Sequence, residues 1–140
     1  MKMKILIMGL PGSGKSTLSK KLSKMLDAKW LNADEVRKEA NDWDFSPSGR
    51  IRQANRMKAL ADAALKNNQH VIGDFICPTP KTREEFNAEY IIWLDTIKAG
   101  RYDDTNQLFI PPSNYNFRIT TKNAEHWCSK IFDDIKMKIK

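Results

Sequence analysis

The segment at residues 9–16 constrains the fold of this chain more than any other feature. It reads Gly-Leu-Pro-Gly-Ser-Gly-Lys-Ser and meets the pattern Gly-x-x-x-x-Gly-Lys-Ser. The apolar residues 5–8 directly before it predict a buried parallel strand. Leucines that recur every four residues from position 18 predict a helix directly after it. The pattern therefore stands between a strand and a helix, the context that a phosphate-binding loop requires.

The residue types in this loop suit a bound polyphosphate. Glycines let the backbone curl so that successive N–H groups point at phosphate oxygens, and the following helix presents its positive N-terminal dipole. Lys15 is expected to bridge the terminal phosphates, and the Ser16 hydroxyl to ligate Mg²⁺. The loop thus predicts binding of a nucleoside triphosphate with magnesium. The predicted phosphate-binding residues are Gly9, Pro11, Gly12, Ser13, Gly14, Lys15, Ser16 and Thr17.

The rest of the chain alternates predicted strands and helices. Further strands are expected at residues 30–31, 71–76, 90–94 and 117–120. A long amphipathic helix is expected from Ser46-Pro47 to about residue 67, and Thr79 resembles an N-cap before Pro80. The one long irregular stretch is predicted at residues 96–116. This order predicts an α/β fold, a three-layer P-loop NTPase with a central parallel sheet of about five strands. The length and the absence of an Asn-Lys-x-Asp guanine signature favour a single P-loop kinase domain over residues 1–140.

Composition narrows the partners only partly. The 24 Lys and Arg residues exceed the 17 Asp and Glu residues and give a net charge of +7. This favours anionic partners, although scattered surface charge for solubility explains it equally well. No apolar run reaches membrane-spanning length, and Cys77 and Cys128 lack the neighbours of a zinc site or a disulfide framework. We therefore expect a cytoplasmic protein without a membrane partner.

Charged residues follow the second and third predicted strands, where the carboxyl ends of parallel strands form a ligand edge. Asp34 could orient or deprotonate an attacking hydroxyl, and Arg37 could hold an anionic group. A solvated first helical turn is the alternative for both residues. Asp74 falls in an apolar strand, where an unpaired carboxylate is costly. It indicates either a position near magnesium or a structural hydrogen bond.

Arginines and aromatic residues add further candidates. Arg50, Arg52 and Arg56 stand on the long helix, where some could bind a substrate anion and others serve solvation. The aromatic residues at positions 43, 45 and 75 could stack on a base, although aromatic residues in such domains more often belong to the core. Cys77 follows a strand at the ligand edge and is a candidate lining residue. Cys128 lies on an apolar helical stripe and is expected in the core.

Four blocks of the sequence resemble the adenylylsulfate kinase family, and their order and rough spacing hold over nearly the whole chain. Residues 9–18 are similar to the family's Gly-Leu-Ser-Gly-Ala-Gly-Lys-Thr-Thr-Leu start, and residues 31–37 to its Leu-Asp-Gly-Asp-Asn-Val-Arg. Residues 45–51 fall where the family has Phe-Ser-x-x-Asp-Arg, and residues 75–78 resemble its Phe-Ile-Ser-Pro.

The resemblance implies transfer of the ATP γ-phosphoryl group to the 3′-hydroxyl of adenylylsulfate, with magnesium, in sulfate assimilation. It implies that Asp34 serves the acceptor hydroxyl, that Arg37 and Arg50 bind the sulfate, and that Phe45 packs near the base. It also implies a central position for the P-loop strand. The acceptor-binding residues expected on this basis are Arg37, Phe45, Arg50, Gln53, Phe75, Ile76 and Cys77.

This chain departs from the family at several positions. Asn32 stands where the family has aspartate, and Glu35 where it has asparagine. Gln53 replaces a usual asparagine, and Cys77 a serine. The family's basic lid and its adenine-packing aromatic are reduced to residues 96–106, where Arg101 is expected to reach the transferring phosphate and Tyr102 to substitute for the aromatic. A reduced lid favours slow turnover or a larger acceptor.

Two other functions remain open from the sequence. A P-loop kinase could act on another hydroxyl, such as that of a nucleotide or a 5′-hydroxyl polynucleotide, although no clear aromatic and basic track for a strand is present. A nucleotide-binding protein that has lost transfer chemistry is the third hypothesis, which Asn32 and the short lid motivate. Nucleic acid is thus possible but not indicated as a partner. The sequence leaves the oligomeric state open, and the resemblance allows a homodimer.

Overall fold

The computed structural model describes residues 2–100 and 103–139 of the chain. The described residues form five strands and six helices in alternating order. The elements are β1 (Lys4–Gly9), α1 (Lys15–Leu26), β2 (Lys29–Asn32), α2 (Ala33–Ala40), α3 (Pro47–Lys66), β3 (Val71–Asp74), α4 (Pro80–Phe86), β4 (Tyr90–Leu94), α5 (Asp103–Leu108), β5 (Phe117–Ile119) and α6 (Ala124–Lys138).

The strands form one parallel sheet in the order β2-β3-β1-β4-β5. This confirms the predicted α/β fold with a central parallel sheet of five strands. The strand before the P-loop, β1, lies in the centre between β3 and β4, as the resemblance implied. All six of its residues are buried, which explains the unbroken apolar run in the sequence.

Helices cover both faces of the sheet and complete three layers. On one face, α1 and α6 pack their apolar stripes against β1, β4 and β5, and Cys128 is buried there, as predicted. On the other face, α3 and α4 pack against β1 and β3. Because both faces are covered, the carboxyl-terminal edge of the sheet is where the chain can present polar groups to a ligand.

Two predicted boundaries are wrong in ways that concern this edge. The third strand ends at Asp74 and does not continue to residue 76, because the amide of Phe75 makes the last bond to β1 and Cys77 then turns with φ 49°. The stretch at residues 96–116 also contains the helix α5, which the sequence analysis assigned to a loop. Its six residues hold a single apolar side chain, so no helical periodicity marks them.

Helix starts follow the capping chemistry of the sequence. Thr79 caps α4 in a reciprocal capping box with Thr82, with Pro80 in the first turn, as predicted. Ser46 caps α3 by accepting a hydrogen bond from the Gly49 amide at 3.2 Å.

Within residues 2–100 and 103–139, none of the helices has the length and hydropathy that crossing a membrane requires.

The Gly49→Ala substitution tests how tightly α3 packs against the preceding loop. Helix propensity alone predicts a gain of about 1 kcal/mol in the free energy of unfolding. A Cβ on Gly49, however, would overlap the carbonyl group of Asp44, with the carbonyl carbon 2.8 Å away. We therefore expect a net loss of roughly 1–3 kcal/mol in urea denaturation. Asn55→Ala, at an exposed site of the same helix, is the matched control and should gain stability; a gain for Gly49→Ala would contradict this packing.

Candidate functional site

The P-loop leaves β1 at Gly9 and enters α1 at Lys15. Only glycine fits at position 9, because a Cβ there would lie 2.8 Å from both the Leu94 carbonyl oxygen and Ser13 Oγ. Gly14 precedes α1 with φ 105°, in the left-handed region that favours glycine. Thr96, which follows β4, donates a hydrogen bond from Oγ1 to the Ser13 carbonyl oxygen at 2.7 Å. The loop is therefore shaped by its glycines and braced by the segment after β4.

Lys15 points its ammonium group into this loop. Its Nζ donates a hydrogen bond to the Leu10 carbonyl oxygen at 3.1 Å. Burial lowers the pKa of Lys15, while the carboxylates of Asp74 and Asp34 oppose that shift. The site therefore keeps one cation within the loop and two carboxylates close enough to act on it.

Asp74 ends β3 and gathers three donors on one oxygen. Its Oδ2 accepts hydrogen bonds from Trp30 Nε1 at 3.2 Å, from Asn32 Nδ2 at 3.2 Å and from Ser16 Oγ at 3.4 Å. Burial raises the pKa of Asp74, and the Lys15 charge and these three bonds oppose the shift. The carboxylate thus belongs to a polar cluster beside the first turn of α1, which is the hydrogen-bonding role that the sequence left open for it, while its position near magnesium stays a prediction.

The chemistry of this cluster fits magnesium. Mg²⁺ prefers oxygen ligands and is usually held by one or two carboxylates together with substrate phosphates and water. The Ser16 hydroxyl and the Asp74 carboxylate are adjoining oxygen donors at the end of the P-loop. No group of three or more His, Cys, Asp or Glu side chains forms a metal site in the described part of the chain. Ser16 and Asp74 are therefore the residues that would hold the ion next to a nucleotide.

Asn32 ends β2 and starts α2. Its Oδ1 accepts hydrogen bonds from the amides of Asp34 at 3.1 Å and Glu35 at 3.2 Å, and so caps the helix. The cap fixes Asp34 in the first turn of α2, at the wall of the cleft described next. The departure from the resembling family at position 32 is thus a residue with a defined structural role in this chain.

One cleft of about 830 Å³ joins the P-loop to the residues predicted to bind the acceptor. Lys15, Ser16, Asp34 and Asp74 line it together. All seven residues that the sequence analysis assigned to the acceptor also line it: Arg37, Phe45, Arg50, Gln53, Phe75, Ile76 and Cys77. The structure therefore brings the predicted acceptor residues and most of the predicted donor residues into one space, whereas Gly9 and Ser13 do not line it. The roles of all these residues stay predictions.

Two buried arginines hold an aromatic ring at the acceptor side. Arg37 Nη1 donates hydrogen bonds to the carbonyls of residues 42 and 44, and its guanidinium lies 4.3 Å from the Phe45 ring centroid. Arg50 donates from Nε to the Phe45 carbonyl at 2.9 Å and from Nη2 to Thr105 Oγ1 at 3.0 Å. Both side chains are buried, whereas Phe45 is 43% and Trp43 51% exposed. The arginines thus fix a loop that presents two aromatic rings to the cleft.

The other two arginines of α3 serve the same loop and do not line the cleft. Arg52 Nε and Arg56 Nη2 bind Asp42 Oδ2 at 2.8 Å and 2.7 Å. These bonds hold the pKa of Asp42 well below its usual range. Gln53 instead donates from Nε2 to the Ala33 carbonyl at 3.0 Å and ties α3 to α2. Of the three arginines on α3, only Arg50 lines the cleft.

Phe75 and Cys77 line the cleft from the buried side. Phe75 packs edge-on against Phe86, with ring centroids 5.3 Å apart, so it belongs to the core as well. Cys77 is almost fully buried, and burial raises the pKa of its thiol to about 12. The thiol is therefore protonated at neutral pH and contributes shape, not a nucleophile, to the wall.

Sequence reasoning missed two residues of the site. Two residues that it did predict lie outside the part of the chain that the structure describes. Trp30, a donor to Asp74, received no role, although strand alternation puts it on the same face as Asn32. Thr105, the partner of Arg50, lies in the helix that the sequence did not reveal. Arg101 and Tyr102, the expected lid residues, lie outside the described residues, so their placement stays a prediction.

Comparison with solved structures shows that this is the fold of P-loop kinases. The chain superimposes on a protein named APE1195 with a TM-score of 0.82, at 20% identity and over 99% of this chain and 97% of that one. It superimposes on the Mycobacterium tuberculosis APS kinase CysC in complex with AMPPNP and APS with a TM-score of 0.81, at 18% identity and over 96% of this chain and 98% of that one. The Acinetobacter baumannii shikimate kinase in complex with shikimate gives a TM-score of 0.64, at 18% identity and over 99% of this chain and 95% of that one. These likenesses establish the fold.

The sequence itself places the chain in a family. Residues 5–88, more than half of the chain, match the family profile described as an AAA domain, and the chain belongs to that family. No curated protein matches the chain by sequence. The matched residues run from β1 through α4 and so include the P-loop, Asp34 and Asp74.

The buried Cys77 thiol predicts slow modification of the folded protein. A pKa of about 12 in place of 9.0 leaves roughly 1000-fold less thiolate than an ordinary thiol at pH 8. In a Cys128→Ala background, Ellman's reagent should label Cys77 slowly in the native protein and fast in 6 M urea. Equally fast labelling in both conditions would show that this wall of the cleft is open to solvent.

Proposed function

We propose that this chain is an ATP-dependent kinase that phosphorylates a hydroxyl of a small anionic, nucleotide-like acceptor, with adenylylsulfate as the leading candidate. The product from that acceptor would be 3′-phosphoadenylylsulfate. One observation carries the proposal: a single cleft is lined by Lys15 and Ser16 of the P-loop and by Asp34 and the Arg37–Phe45–Arg50 cluster. A donor and an acceptor bound in this cleft would be adjacent.

The donor half binds and orients the triphosphate. The P-loop amides and the N-terminus of α1 meet the phosphate oxygens, and Lys15, released from the Leu10 carbonyl, pairs with the terminal phosphates. Magnesium held at Ser16 and Asp74 would neutralise charge on the β- and γ-phosphates. The glycines at positions 9 and 14 give the loop the backbone shape that places these amides.

The transfer step assigns one task to each charged residue. The oxygen of the acceptor hydroxyl forms a bond to the γ-phosphorus of ATP, and Asp34 accepts the proton of that hydroxyl. The bond from that phosphorus to the bridging oxygen breaks, and ADP leaves with the electron pair. Lys15 stabilises the charge that develops on the transferred group. Atoms and charge balance with ATP and the alcohol as the only reactants.

The acceptor half suits a ligand with both a planar base and an anionic group. Phe45 and Trp43 offer exposed rings on a fixed loop, on which a base can stack. The guanidinium groups of Arg37 and Arg50 lie beside Phe45 and are held by oxygen acceptors, which keeps them in place for a sulfate or phosphate. A sugar or a small acid without a base would leave both rings unused.

The remaining parts of the proposal follow from this activity. We place the enzyme in the cytoplasm, where ATP and magnesium are available, within sulfate assimilation if adenylylsulfate is the acceptor. The domain is taken as one kinase unit over residues 1–140. A 5′-hydroxyl oligonucleotide and binding without transfer are the competing outcomes of the assay below.

Phosphoryl transfer to a panel of acceptors tests the proposal directly. With ³²P-labelled ATP and Mg²⁺, we expect label on adenylylsulfate and none on shikimate or gluconate. Lys15→Ala should lower kcat/KM by about 100-fold or more, because transition-state charge loses its main side-chain partner. If only a 5′-hydroxyl oligonucleotide is labelled, adenylylsulfate is the wrong acceptor and a polynucleotide end takes its place. ATP binding without any labelled product would contradict the kinase assignment.

Substitution of the candidate base separates chemistry from binding. Asp34→Asn keeps the size of the side chain and removes its proton acceptor, so kcat should fall by roughly 100-fold or more while ATP affinity stays unchanged. Asp133→Asn, an exposed position on α6, is the matched control and should keep the full rate. An unchanged kcat for Asp34→Asn would show that another group takes the proton.

A further inference from the structure

Asn32 and Asp74 lie side by side at the ligand edge of the sheet. They are register partners at the carboxyl ends of the parallel strands β2 and β3. The Asn32 amide donates from Nδ2 to Asp74 Oδ2 at 3.2 Å, and the same nitrogen lies 3.4 Å from Ser16 Oγ. One amide group therefore contacts both residues that would hold magnesium.

The other end of the same amide acts on the acceptor side. Asn32 Oδ1 accepts hydrogen bonds from the backbone amides of Asp34 and Glu35. These bonds fix the start of α2, which carries Asp34, the candidate base. An amide can donate and accept at once, whereas an ionised carboxylate only accepts. Aspartate at position 32 could cap the helix but would face Asp74 as a second negative charge. Opposite Asp74, the position therefore favours a residue with both kinds of atom.

Hydrogen bonding around Asp74 is one-sided. The bonds that it accepts from Trp30, Asn32 and Ser16 all end on Oδ2. Within the described residues, its Oδ1 accepts no side-chain hydrogen bond. Held by one oxygen, the carboxylate keeps its second oxygen for a cation, which is the arrangement of a ligand oriented by neighbouring groups.

We propose that Asn32 is a positioning residue that ties the metal side of the site to its acceptor side. Its NH₂ group orients the Asp74 carboxylate and the Ser16 hydroxyl toward a nucleotide-bound Mg²⁺. Its carbonyl oxygen sets the start of α2 and with it Asp34. This inference rests on the proposed function for the identity of the ligand, an Mg²⁺–nucleotide, and concerns a residue to which the transfer mechanism assigned no task.

Asn32→Ser separates the two bonds, since serine also caps helices but is too short to hold Asp74. The experiment is calorimetric titration of the whole chain with ADP, with and without Mg²⁺. The measured quantity is the ratio of the two affinities. We expect this ratio to fall by about 10-fold in Asn32→Ser, as is typical when a group that orients a metal ligand is removed. An unchanged ratio would overturn the proposal.

Asn116→Ser is the matched control. Asn116 also accepts a backbone amide, that of Ile91 at 2.9 Å, but it lies at the amino end of β5, away from the cleft. It carries the same substitution and a similar loss of a side-chain bond, so its Mg²⁺ ratio should equal that of the unaltered protein. A fall of the same size in this variant would assign the effect to stability and overturn the proposal.

An exchange of the Asn32 and Asp74 side chains provides a second test, because it keeps the cap of α2 and the volume of both side chains. Asp74→Asn alone should abolish most of the Mg²⁺ enhancement. Asn32→Asp combined with Asp74→Asn restores one carboxylate and one amide in adjacent positions, and we expect it to recover part of the enhancement. No recovery would contradict the proposed pairing. These readouts need no phosphoryl transfer, so a failed acceptor assay would reject the proposed function and leave this inference standing.

Discussion

The site depends on the hydrogen bonds that hold the Asp74 carboxylate at the end of β3, close to Lys15 at the start of α1. Burial shifts the pKa of each of these two groups toward its neutral form, and the charge of the other opposes that shift. A charged group withdrawn from water is stable only when hydrogen bonds satisfy it. Trp30, Asn32 and Ser16 supply those bonds to the carboxylate, and the Leu10 carbonyl accepts one from the ammonium. The cluster therefore fixes how β1, β2, β3 and α1 meet at the ligand edge.

The sheet order turns this local cluster into a two-sided site. With β1 in the centre and β3 and β2 beside it, the segments after these strands lie next to each other. The P-loop follows β1, Asp34 follows β2, and the wall at residues 75–78 follows β3. The long helix α3 then returns across this edge and brings Arg50 and Gln53 to the same cleft. Topology thus brings the residues predicted to bind a donor phosphate and an acceptor hydroxyl to one cleft. On the proposed function, the loop at Phe45 would select the acceptor.

The sequence predicted the parts of this site that local chemistry determines. The P-loop, the apolar runs of β1 and β4 and the cap at Thr79 each carry a pattern of adjacent residues, and these predictions are confirmed. Contacts between distant segments carry no such pattern. The bond from Trp30 to Asp74 spans 44 residues and that from Arg50 to Thr105 spans 55, so neither could be read along the chain. Asn32 shows the same limit. Its difference from the family's aspartate suggested a loss of function, but in the structure its side chain caps α2 and donates a hydrogen bond to the Asp74 carboxylate.

The most direct measurement of the central claim is a crystal structure of the protein with ADP, Mg²⁺ and adenylylsulfate. We expect the phosphates to be enclosed by the P-loop, the base to lie against Phe45, and the 3′-hydroxyl to lie within about 2.6–3.2 Å of the Asp34 carboxylate. Both ligands should occupy the cleft that Lys15 and Arg37 line. Adenylylsulfate bound elsewhere, or in this cleft with its 3′-hydroxyl turned away from both Asp34 and the phosphates, would contradict the central claim.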